Sequence, residues 1–585
     1  MLFASLDFLL FIVPVLAAYW ALANHPRARA LLLISASYFF YVASSKSSVD
    51  GGLPASWYYV GLLLFSTVLN YVGAARIQRQ DHNLESDDLT IRRRAAHVRN
   101  GWLTATLVGN LGLLAYFKYT NFLIEAFTDI AQVMGVDLMA TKWVAVLPIG
   151  ISFYTFQSLS YTIDVWRRTL TGEPSFRKFA LFVGFFPQLV AGPIVRANQF
   201  LPQLHHRPRL DQRRVGEALF RISKGMLKKV VFGDWIPVMF SDMVFANPES
   251  YTSLEHLLAL YAFTLQIYGD FSGYSDIAIG VAKLMGFDLP ENFDRPYQAR
   301  SVGEFWRRWH MTLSTWLRDY LFFPLGGSRK GTLRTYFNLW LTMFLVGMWH
   351  RASWNFIIYS NIHGLAMLLN RWKRQRRQGK ARAAGTGRGI RYVAMLGVSG
   401  IGLASYALGM CLLELPPNSA MVLAAFAVLS TLAATWVPEN DRPWSVVAHV
   451  LMMFHFTVLS RIFFLASDLD AARSIMAKLL AWDGHGVRPG LFRVDSWHGV
   501  AEGVVGSAMP EFVGGAMRWV ADQGVLLVMI VGLGYHFTPR VWVDVLLRDR
   551  IARLPGPVLG IMLVLVGALL VDLLDGPRAN IYFAF

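Results

Sequence analysis

A histidine stands in an apolar stretch near the middle of this chain, in the company of two tryptophans. The segment "GMWHRASWNF" covers residues 347–356 and places Arg351 directly after His350. An imidazole titrates near neutral pH and suits general acid–base chemistry. Trp, His and Arg are also typical of a helix end at the headgroup level of a bilayer. At this point the sequence leaves both interpretations of His350 open, an active-site base and an interfacial side chain.

A second histidine, His310, ends the segment "WRRWH" and precedes Ser314 by four residues, on the same predicted helix face. Ser301 and Glu304 form a capping-box pattern, which predicts a helix start just before this segment. An amphipathic helix at the cytoplasmic interface is predicted from residues that share one face at helical spacing, namely Phe305, Trp309, Thr312, Trp316 and Tyr320. His310 is then either a surface histidine near the headgroups or a supporting catalytic group.

The composition indicates which environment positions these histidines. The chain has 585 residues, of which 55% are hydrophobic and 16% are charged, and its mean hydropathy is +0.39. Soluble domains carry about 25% charged residues. Apolar runs long enough to cross a bilayer recur from end to end. We therefore predict an all-α polytopic membrane protein with about ten to twelve transmembrane helices. Its first apolar run lacks a basic leader and a cleavage site, so we expect a retained span.

The central third of the chain is aromatic but is interrupted repeatedly by Gly, Pro and charged residues. Backbone broken at membrane depth is tolerated only where protein buries it or a cavity adjoins it. Short re-entrant and interfacial helices around a central cavity are therefore expected. The single cysteine, Cys411, excludes a disulfide framework and a cysteine metal site.

Charge placement predicts the orientation in the membrane. The formal net charge is +17, but the basic residues concentrate in connecting segments, chiefly 76–100 and 371–391, so nucleic acid is not the expected partner. The positive-inside rule makes these segments cytoplasmic and both termini extracytoplasmic. The predicted organisation has N-terminal transmembrane helices (1–146), a catalytic core (147–371), a basic cytoplasmic loop (372–391) and C-terminal transmembrane helices (392–585) with an extracytoplasmic segment near 466–522.

Three long motifs carry a family resemblance: "FSGYSDIAIGVAKLMGFDLPENFDRPY", "EFWRRWHMTLSTWLRDYLFFPLGG" and "GMWHRASWNFIIYSNIHG". In this order they resemble the membrane-bound O-acyltransferase superfamily. Within it they are similar to the bacterial branch of alginate O-acetylation and teichoic-acid D-alanyl transfer, with the alginate-type motifs closer. The resemblance covers residues 148–364 strongly and the flanking spans by hydropathy only.

The resemblance implies roles for the two histidines. His350 matches the family's essential histidine, and His310 matches the second histidine of the pattern. His350 is then the base that takes the proton of an acceptor hydroxyl as its oxygen attacks an acyl thioester. Arg351 departs from the family pattern, which has a glycine there, so it either contacts a polar acceptor or extends to the interface. Ser314 is a further substrate candidate, and His363 has a weaker claim because histidines at helix ends are commonly structural.

Charged residues are dense around these motifs. Asp270, Asp276, Asp294 and Asp319 lie close in sequence to Arg295, Arg300, Arg307, Arg308 and Arg318. Charges beside membrane spans usually pair with one another, so a structural ion-pair network is favoured over acid–base roles. Arg307, Arg308 and Arg318 are candidates for binding the phosphates of a coenzyme A donor, since Arg suits phosphate recognition. No phosphate loop or metal-ligand cluster is visible, so we expect acetyl-CoA as a substrate, no metal and no bound cofactor.

The C-terminal residues "NIYFAF" resemble the aromatic tail of this branch or of its small partner proteins. In that setting Tyr582 carries the acyl group outward; otherwise it is an aromatic anchor at the outer interface. The resemblance implies O-acetylation of an extracellular polysaccharide from cytoplasmic acetyl-CoA, in a bacterial inner membrane. It also implies a secreted or periplasmic SGNH-hydrolase-like transferase as partner. D-alanyl transfer, acylation of lipid or peptide, and a non-enzymatic transporter are the alternatives, although the internal repeats typical of transporters are not evident.

Overall fold

The structure is a computed structural model that describes residue 3 and residues 5–45, 53–138, 147–209, 211–382, 442–481, 486–497 and 511–561. Within these residues the regular structure is helical and contains no strand, which confirms the all-α class. Cys411, Tyr582 and all of residues 392–441, where further spans are predicted, lie outside the described residues.

Four long helices form the N-terminal region: α1 (Leu6–Ala21), α2 (Pro26–Ser45), α3 (Leu53–Gln78) and α4 (Leu89–Val133). The first three are the helices predicted before residue 76. The basic segment "IRRRAAHVR" is not a loop, because it forms the first turns of α4 after the capping carboxylate of Asp88. α1 is held to the centre of the molecule by Tyr19, whose hydroxyl donates to the Met285 carbonyl at 2.7 Å.

The centre contains α5 (Ile151–Trp166), α6 (Phe176–Gly184), α7 (Gln212–Leu227) and the almost entirely buried α8 (Ser253–Leu284). α7 continues into a π-helical segment, Lys228–Trp235, and both pack against α8. The backbones approach so closely that a Cβ on Gly273 would lie 2.7 Å from the Gly225 carbonyl oxygen. Small residues permit this contact, as they do between membrane helices generally.

The predicted amphipathic helix around His310 is wrong as a single element. It is two short helices, α9 (Val302–Arg308) and α10 (Met311–Leu317), separated by a left-handed His310 with φ of 43°. Of the five residues of its predicted apolar face, four are buried within the protein and Tyr320 is half-buried. The physical reason is a long-range contact, described below, that holds His310 out of helical geometry. The helix start was predicted correctly, because the Ser301 hydroxyl accepts from the Glu304 N–H.

Two antiparallel helices follow, α11 (Thr332–His350) and α12 (Trp354–Arg382). A Cβ on Gly347 would lie 2.4 Å from that of Ser360, so glycine is needed where α11 meets α12. α12 runs through the first part of the predicted cytoplasmic loop, up to residue 382.

The described C-terminal helices are α13 (Pro443–Ser460), α14 (Leu469–Ala481), α15 (Glu511–Asp522) and α16 (Gly524–Phe537). Among the described residues, three helical stretches are long and apolar enough to cross a membrane: Pro26–Ser45, Tyr58–Glu85 and Pro443–Leu465. A fourth span is possible if Ala516–Asp522 and Gly524–Phe537, which are bent by 78°, cross together.

Candidate active site

His350 is the last residue of α11 and is only 5% exposed. Aromatic rings surround it: the centroid of its imidazole lies 4.7 Å from Trp349, 5.9 Å from Phe464 and 6.4 Å from Phe356. α11 places it there because Gly347, one turn earlier, allows α12 to close over the helix end. Burial at this level excludes the interpretation of His350 as a headgroup-level side chain in contact with water.

The Trp349 indole contacts both candidate histidines. Its centroid is 5.8 Å from that of His310 and 4.7 Å from that of His350. The motif also suggests that its other tryptophan, Trp354, forms an apolar wall around His350. The structure shows otherwise, because Trp354 begins the next helix and faces α4. It is 37% exposed and donates to Asp129 Oδ2 at 2.9 Å, and its ring lies against Phe122.

His310 is completely buried, which excludes a surface histidine. Its ring contacts Phe271 at 4.7 Å and Phe153 at 6.3 Å, measured between centroids. Its Nδ1 lies 3.1 Å from Asn292 Oδ1. We call the rings around the two histidines the aromatic shell, and its members are Phe153, Phe271, Trp349, Phe356 and Phe464.

Asn292 fixes the orientation and tautomer of His310. The amide nitrogen of Asn292 donates to Ser275 Oγ at 3.2 Å, so its oxygen is the atom that faces His310. That oxygen also accepts from the Thr312 hydroxyl at 2.9 Å. Because an amide oxygen only accepts, Nδ1 of His310 must carry a proton, and Nε2 keeps its lone pair in the neutral ring. Nε2 is buried and has no hydrogen-bond partner among the described residues, as expected of an atom that awaits a substrate.

A charged cavity lies beside this site, between α7, α8 and the segment after α16. Within the described part of the chain, seven basic and five acidic side chains line it, among them Arg221, Lys224, Lys228, Asp276 and Asp544. Ion pairs cross it: Lys228 Nζ lies 2.8 Å from Asp276 Oδ2, and Lys224 Nζ lies 2.9 Å from Asp544 Oδ1. Positive charge is nevertheless in excess, so the cavity suits an anionic ligand.

Asn292 connects the charged cavity to the aromatic shell. Asn292 and Phe293 both line the cavity. On its other side Asn292 binds His310, and the Phe293 ring lies 6.4 Å from the His310 ring. A ligand in the cavity is thus separated from His310 by a single residue.

The carboxylates that were expected to form ion pairs do so, but largely with cations from other elements than those expected. Asp270 pairs with Lys229 at 2.6 Å, Asp276 with Lys228, and Asp319 with Arg196 at 2.6 Å as well as with Arg318. Asp294 faces Arg540 at 3.6 Å. The segment 221–229 supplies most of the partners for α8, a contribution that sequence proximity does not reveal.

None of the three arginines predicted to bind donor phosphates lines the charged cavity in the described structure, although Arg308 Nη1 donates to the carbonyl of the lining residue Asp294 at 3.3 Å. Arg308 pairs with Glu304 at 2.8 Å, and Arg318 is 55% exposed and pairs with Asp319 at 2.7 Å. Arg307 is exposed on α9. Their role as phosphate ligands stays a prediction.

The remaining candidates occupy varied positions. Ser314 lies on α10, and its Oγ donates at 3.4 Å to the carbonyl of Trp309, which precedes that helix. Arg351 follows α11 in extended geometry, and its charge acts on Asp468. The N–H of Ala471, the Ser467 hydroxyl and, to a smaller extent, Arg351 lower the pKa of the Asp468 carboxyl.

His363 is buried and its Nε2 lies 3.1 Å from Ser460 Oγ, in keeping with a structural role. The role of Tyr582 stays a prediction.

Two residues near the histidines were missed. Asn292 lies in "GFDLPENFDRPY", where Pro and Asn residues are typical of a turn and indicate no contact with a histidine. Arg461 stands alone in the apolar run "TVLSRIFFLAS", and an isolated ionisable residue in such a run is itself a signal of function.

Comparisons with known proteins identify the family of the chain. Residues 100–399, half of the chain, match the family model of the membrane-bound O-acyltransferase family, MBOAT. A probable alginate O-acetylase AlgI from Pseudomonas aeruginosa is 41% identical over 375 residues, which are 63% of this chain and 66% of that protein. The match thus spans just under two thirds of this relative, and it spans 69% of the relative of the same name from Azotobacter vinelandii, at 40% identity over 380 residues.

A more distant relative carries a different acyl group in its name. A teichoic acid D-alanyltransferase from Streptococcus thermophilus is 31% identical over 244 residues, which are 39% of this chain and 58% of that protein. These matches confirm the resemblance that the three motifs carry and the assignment to an acyltransferase class. The transporter alternative is therefore wrong.

Proposed function

Since the chain belongs to the membrane-bound O-acyltransferase family, we propose that it moves an acetyl group from cytoplasmic acetyl-CoA across the inner membrane for O-acetylation of an extracellular, alginate-like polysaccharide. The observation that carries this proposal is the position of Asn292. It adjoins an anion-suited cavity on one side and binds His310 of the aromatic shell on the other. A donor with a charged head and a small acyl group needs these two environments side by side.

In this proposal the charged cavity binds the phosphates of coenzyme A. Its positive excess attracts them, and Arg and Lys donors on several elements offer alternative partners for phosphate oxygens. Arg540 and Arg548 line the cavity and belong to a basic segment that the positive-inside rule makes cytoplasmic. The donor therefore enters from the cytoplasmic side.

His350 acts as the general base within the aromatic shell. It takes the proton from the acceptor hydroxyl as that oxygen attacks the thioester carbonyl. His310, with its free Nε2 lone pair, positions the acceptor or relays the proton. The rings around both histidines exclude water, which protects the thioester from hydrolysis.

The lengths of the matches to the named relatives favour acetate over D-alanine. Relatives named for O-acetylation match at 34–41% identity over 375–383 residues, whereas those named for D-alanyl transfer match over shorter stretches. In this account the acetyl group passes outward through Tyr582 to a periplasmic transferase partner, which acetylates the polymer. Both termini are extracytoplasmic.

The test replaces His350→Gln in polymer-producing cells and measures ester-linked acetate on extracellular polysaccharide. His449→Gln is a matched control, because His449 is also 5% exposed but lies on α13 and hydrogen-bonds only within its own helix among the described residues. Acetate should be lost with His350→Gln and retained with the control, at equal protein levels in the membrane. Unchanged acetate in the His350 variant would refute the catalytic assignment. Ester-linked D-alanine on the polymer of wild-type cells would mean that the transferred group is D-alanine and not acetate.

The tail has its own experiment. Tyr582→Phe removes the hydroxyl that would carry the acetyl group and leaves the aromatic ring. Lost acetylation supports the carrier role, whereas normal acetylation leaves Tyr582 as an anchor only.

A further inference from the structure

Arg461 is a deeply buried cation close to the aromatic shell. It follows the last residue of α13, precedes a short helix, Ile462–Leu465, and is 1% exposed. Its Nη1 donates to the Tyr359 hydroxyl at 3.4 Å. Its Nε and Nη2 are buried without a hydrogen-bond partner in the part of the chain that the structure describes.

Burial of this guanidinium is expensive. Arginine stays protonated in proteins, so it cannot escape the cost by losing its charge. Removing an ion from water costs several kcal/mol unless a counterion and hydrogen bonds replace the lost hydration. Within the described residues, no carboxylate pairs with Arg461. An arginine retained under these conditions has a function as its default interpretation.

Local contacts compensate only part of this cost. The guanidinium lies 4.7 Å from the Trp309 ring centroid and 5.1 Å from that of Phe464. It also sits at the C-terminal end of α13, where the helix dipole favours a cation. These interactions act on the charge, but Nε and Nη2 still have no hydrogen-bond partner among the described residues. The missing partner is an oxygen that carries negative charge.

The position of Arg461 relates it to the reacting groups. The Phe464 ring contacts the guanidinium on one side and the His350 ring, at 5.9 Å, on the other. Trp309, the other ring against Arg461, directly precedes His310 in the chain. Arg461 also interacts electrostatically with His350. The guanidinium is therefore one aromatic ring away from the proposed base.

We propose that Arg461 binds the carbonyl oxygen of the acyl group and stabilises the negative charge that develops there. This inference rests on the acyl transfer proposed above. As the acceptor oxygen forms its bond to the carbonyl carbon, His350 takes the hydroxyl proton and the carbonyl π electrons move to the oxygen that faces Nε and Nη2 of Arg461. The electrons then return, the C–S bond breaks, and the thiolate leaves with the proton from His350. Donors aimed at a developing oxyanion contribute more in a dry site than in water.

The variants Arg461→Met and Arg461→Lys test this role in the full-length protein. Membranes from polymer-producing cells are given radiolabelled acetyl-CoA at several concentrations, and label transferred to polymer gives kcat and KM. Arg29→Met is the matched control, since Arg29 is also buried, at 7% exposed, and lies 5.5 Å from the Tyr19 ring, in the N-terminal helices.

An oxyanion role predicts that Arg461→Met lowers kcat about 10²- to 10³-fold, as removal of such a donor does elsewhere. KM for acetyl-CoA should stay within about twofold of the wild-type value. The kcat of Arg461→Lys should lie between those of the wild type and Arg461→Met. Added methylguanidinium should restore part of the rate of Arg461→Met. The control should keep the wild-type rate. If the Arg461→Met protein does not accumulate in the membrane, the kcat of Arg461→Lys decides whether Arg461 has the oxyanion role.

Three results would overturn the inference. The first is a kcat near the wild-type value in the accumulated variant, and the second is a rise in KM with kcat unchanged. The third is a loss of kcat that matches the loss of folded protein. A failure of the proposed function is distinguishable, because then wild-type membranes also transfer no label from acetyl-CoA.

Discussion

The charged cavity and the aromatic shell meet at Asn292 and differ in whether their charged and polar groups have partners. Cations in the cavity have carboxylate partners, such as Asp276 for Lys228 and Asp544 for Lys224. Polar atoms in and around the shell do not: His310 Nε2, the Trp349 indole nitrogen and two donors of Arg461 lack partners among the described residues. A buried network whose members are all paired is structural, whereas a buried polar group without a partner requires an explanation. Next to the proposed base, the explanation that we propose is a bound substrate.

This difference assigns different tasks to the two regions. In the proposed function, the cavity binds the charged part of the donor and should determine how tightly the donor binds. The aromatic shell surrounds the two histidines with apolar rings and should determine how fast the acyl group moves. Substitutions can therefore separate the two regions kinetically.

The largest effect is expected from His350→Gln in the shell. Loss of the general base should lower kcat by about 10²- to 10⁴-fold, with little change in the affinity for acetyl-CoA. Initial rates of acetyl transfer in membranes measure this, with His449→Gln as the control. A normal kcat for His350→Gln would mean that the reaction does not take place in the aromatic shell.

Asn292→Leu should come next, because it removes the group that fixes the His310 tautomer. The two side chains have the same number of heavy atoms and the same branching, so we expect the variant to fold and kcat to fall about tenfold, at the low end of what acid–base groups contribute, with KM nearly unchanged. Asn338→Leu is the control, since Asn338 is equally buried but binds the carbonyls of Leu325 and Gly327. An increase in KM alone would instead make Asn292 part of the donor pocket.

Lys224→Gln should weaken donor binding in the charged cavity and leave the rate of reaction in the aromatic shell unchanged. Loss of one charge-assisted contact to a phosphate is worth about 1.5 kcal/mol or more, which corresponds to a KM for acetyl-CoA raised about tenfold, with kcat retained. Arg307→Gln is the comparison, because Arg307 was the sequence-based candidate. If Arg307→Gln raises KM and Lys224→Gln does not, the donor phosphates lie on α9.

The smallest effect is expected at Asp468, which caps α14 through a hydrogen bond of 2.8 Å from the Ala471 N–H. Asp468→Asn should cost about 1 kcal/mol or less and lower the midpoint of thermal unfolding slightly. Because the folded-state pKa of Asp468 is lowered, its contribution is present above the unfolded pKa of about 3.9 and is lost as pH falls through the folded value. Wild type and variant should therefore converge in acid; a constant difference down to low pH would contradict the capping role.

Sequence patterns predicted the helices that are determined by residues close together in the chain. The three N-terminal helices follow from apolar runs and turn residues, and the α9 start follows from Ser301 and Glu304. Both histidines were selected by motif. Helical spacing failed at His310, because Asn292, eighteen residues earlier, holds the residue in a left-handed conformation that no local preference favours.

Long-range contacts account for what the sequence did not reveal. The partners of Asp276 come from α7 and the π-helical segment after it, so neighbouring arginines in "DRPYQAR" were the wrong cations to consider. Arg461 lies 111 residues after His350 in the chain, and only the packing of Phe464 between them connects the two. Periodicity contains no information about such pairs.

The most direct test uses sealed membrane vesicles of defined orientation and radiolabelled acetyl-CoA, which does not cross the bilayer. Inside-out vesicles with the wild-type protein should consume acetyl-CoA and transfer label, right-side-out vesicles should not, and inside-out vesicles with His350→Gln should be inactive. Consumption from the extracytoplasmic face, or equal rates in the wild type and the His350 variant, would contradict a donor that enters the charged cavity from the cytoplasm and reacts at His350.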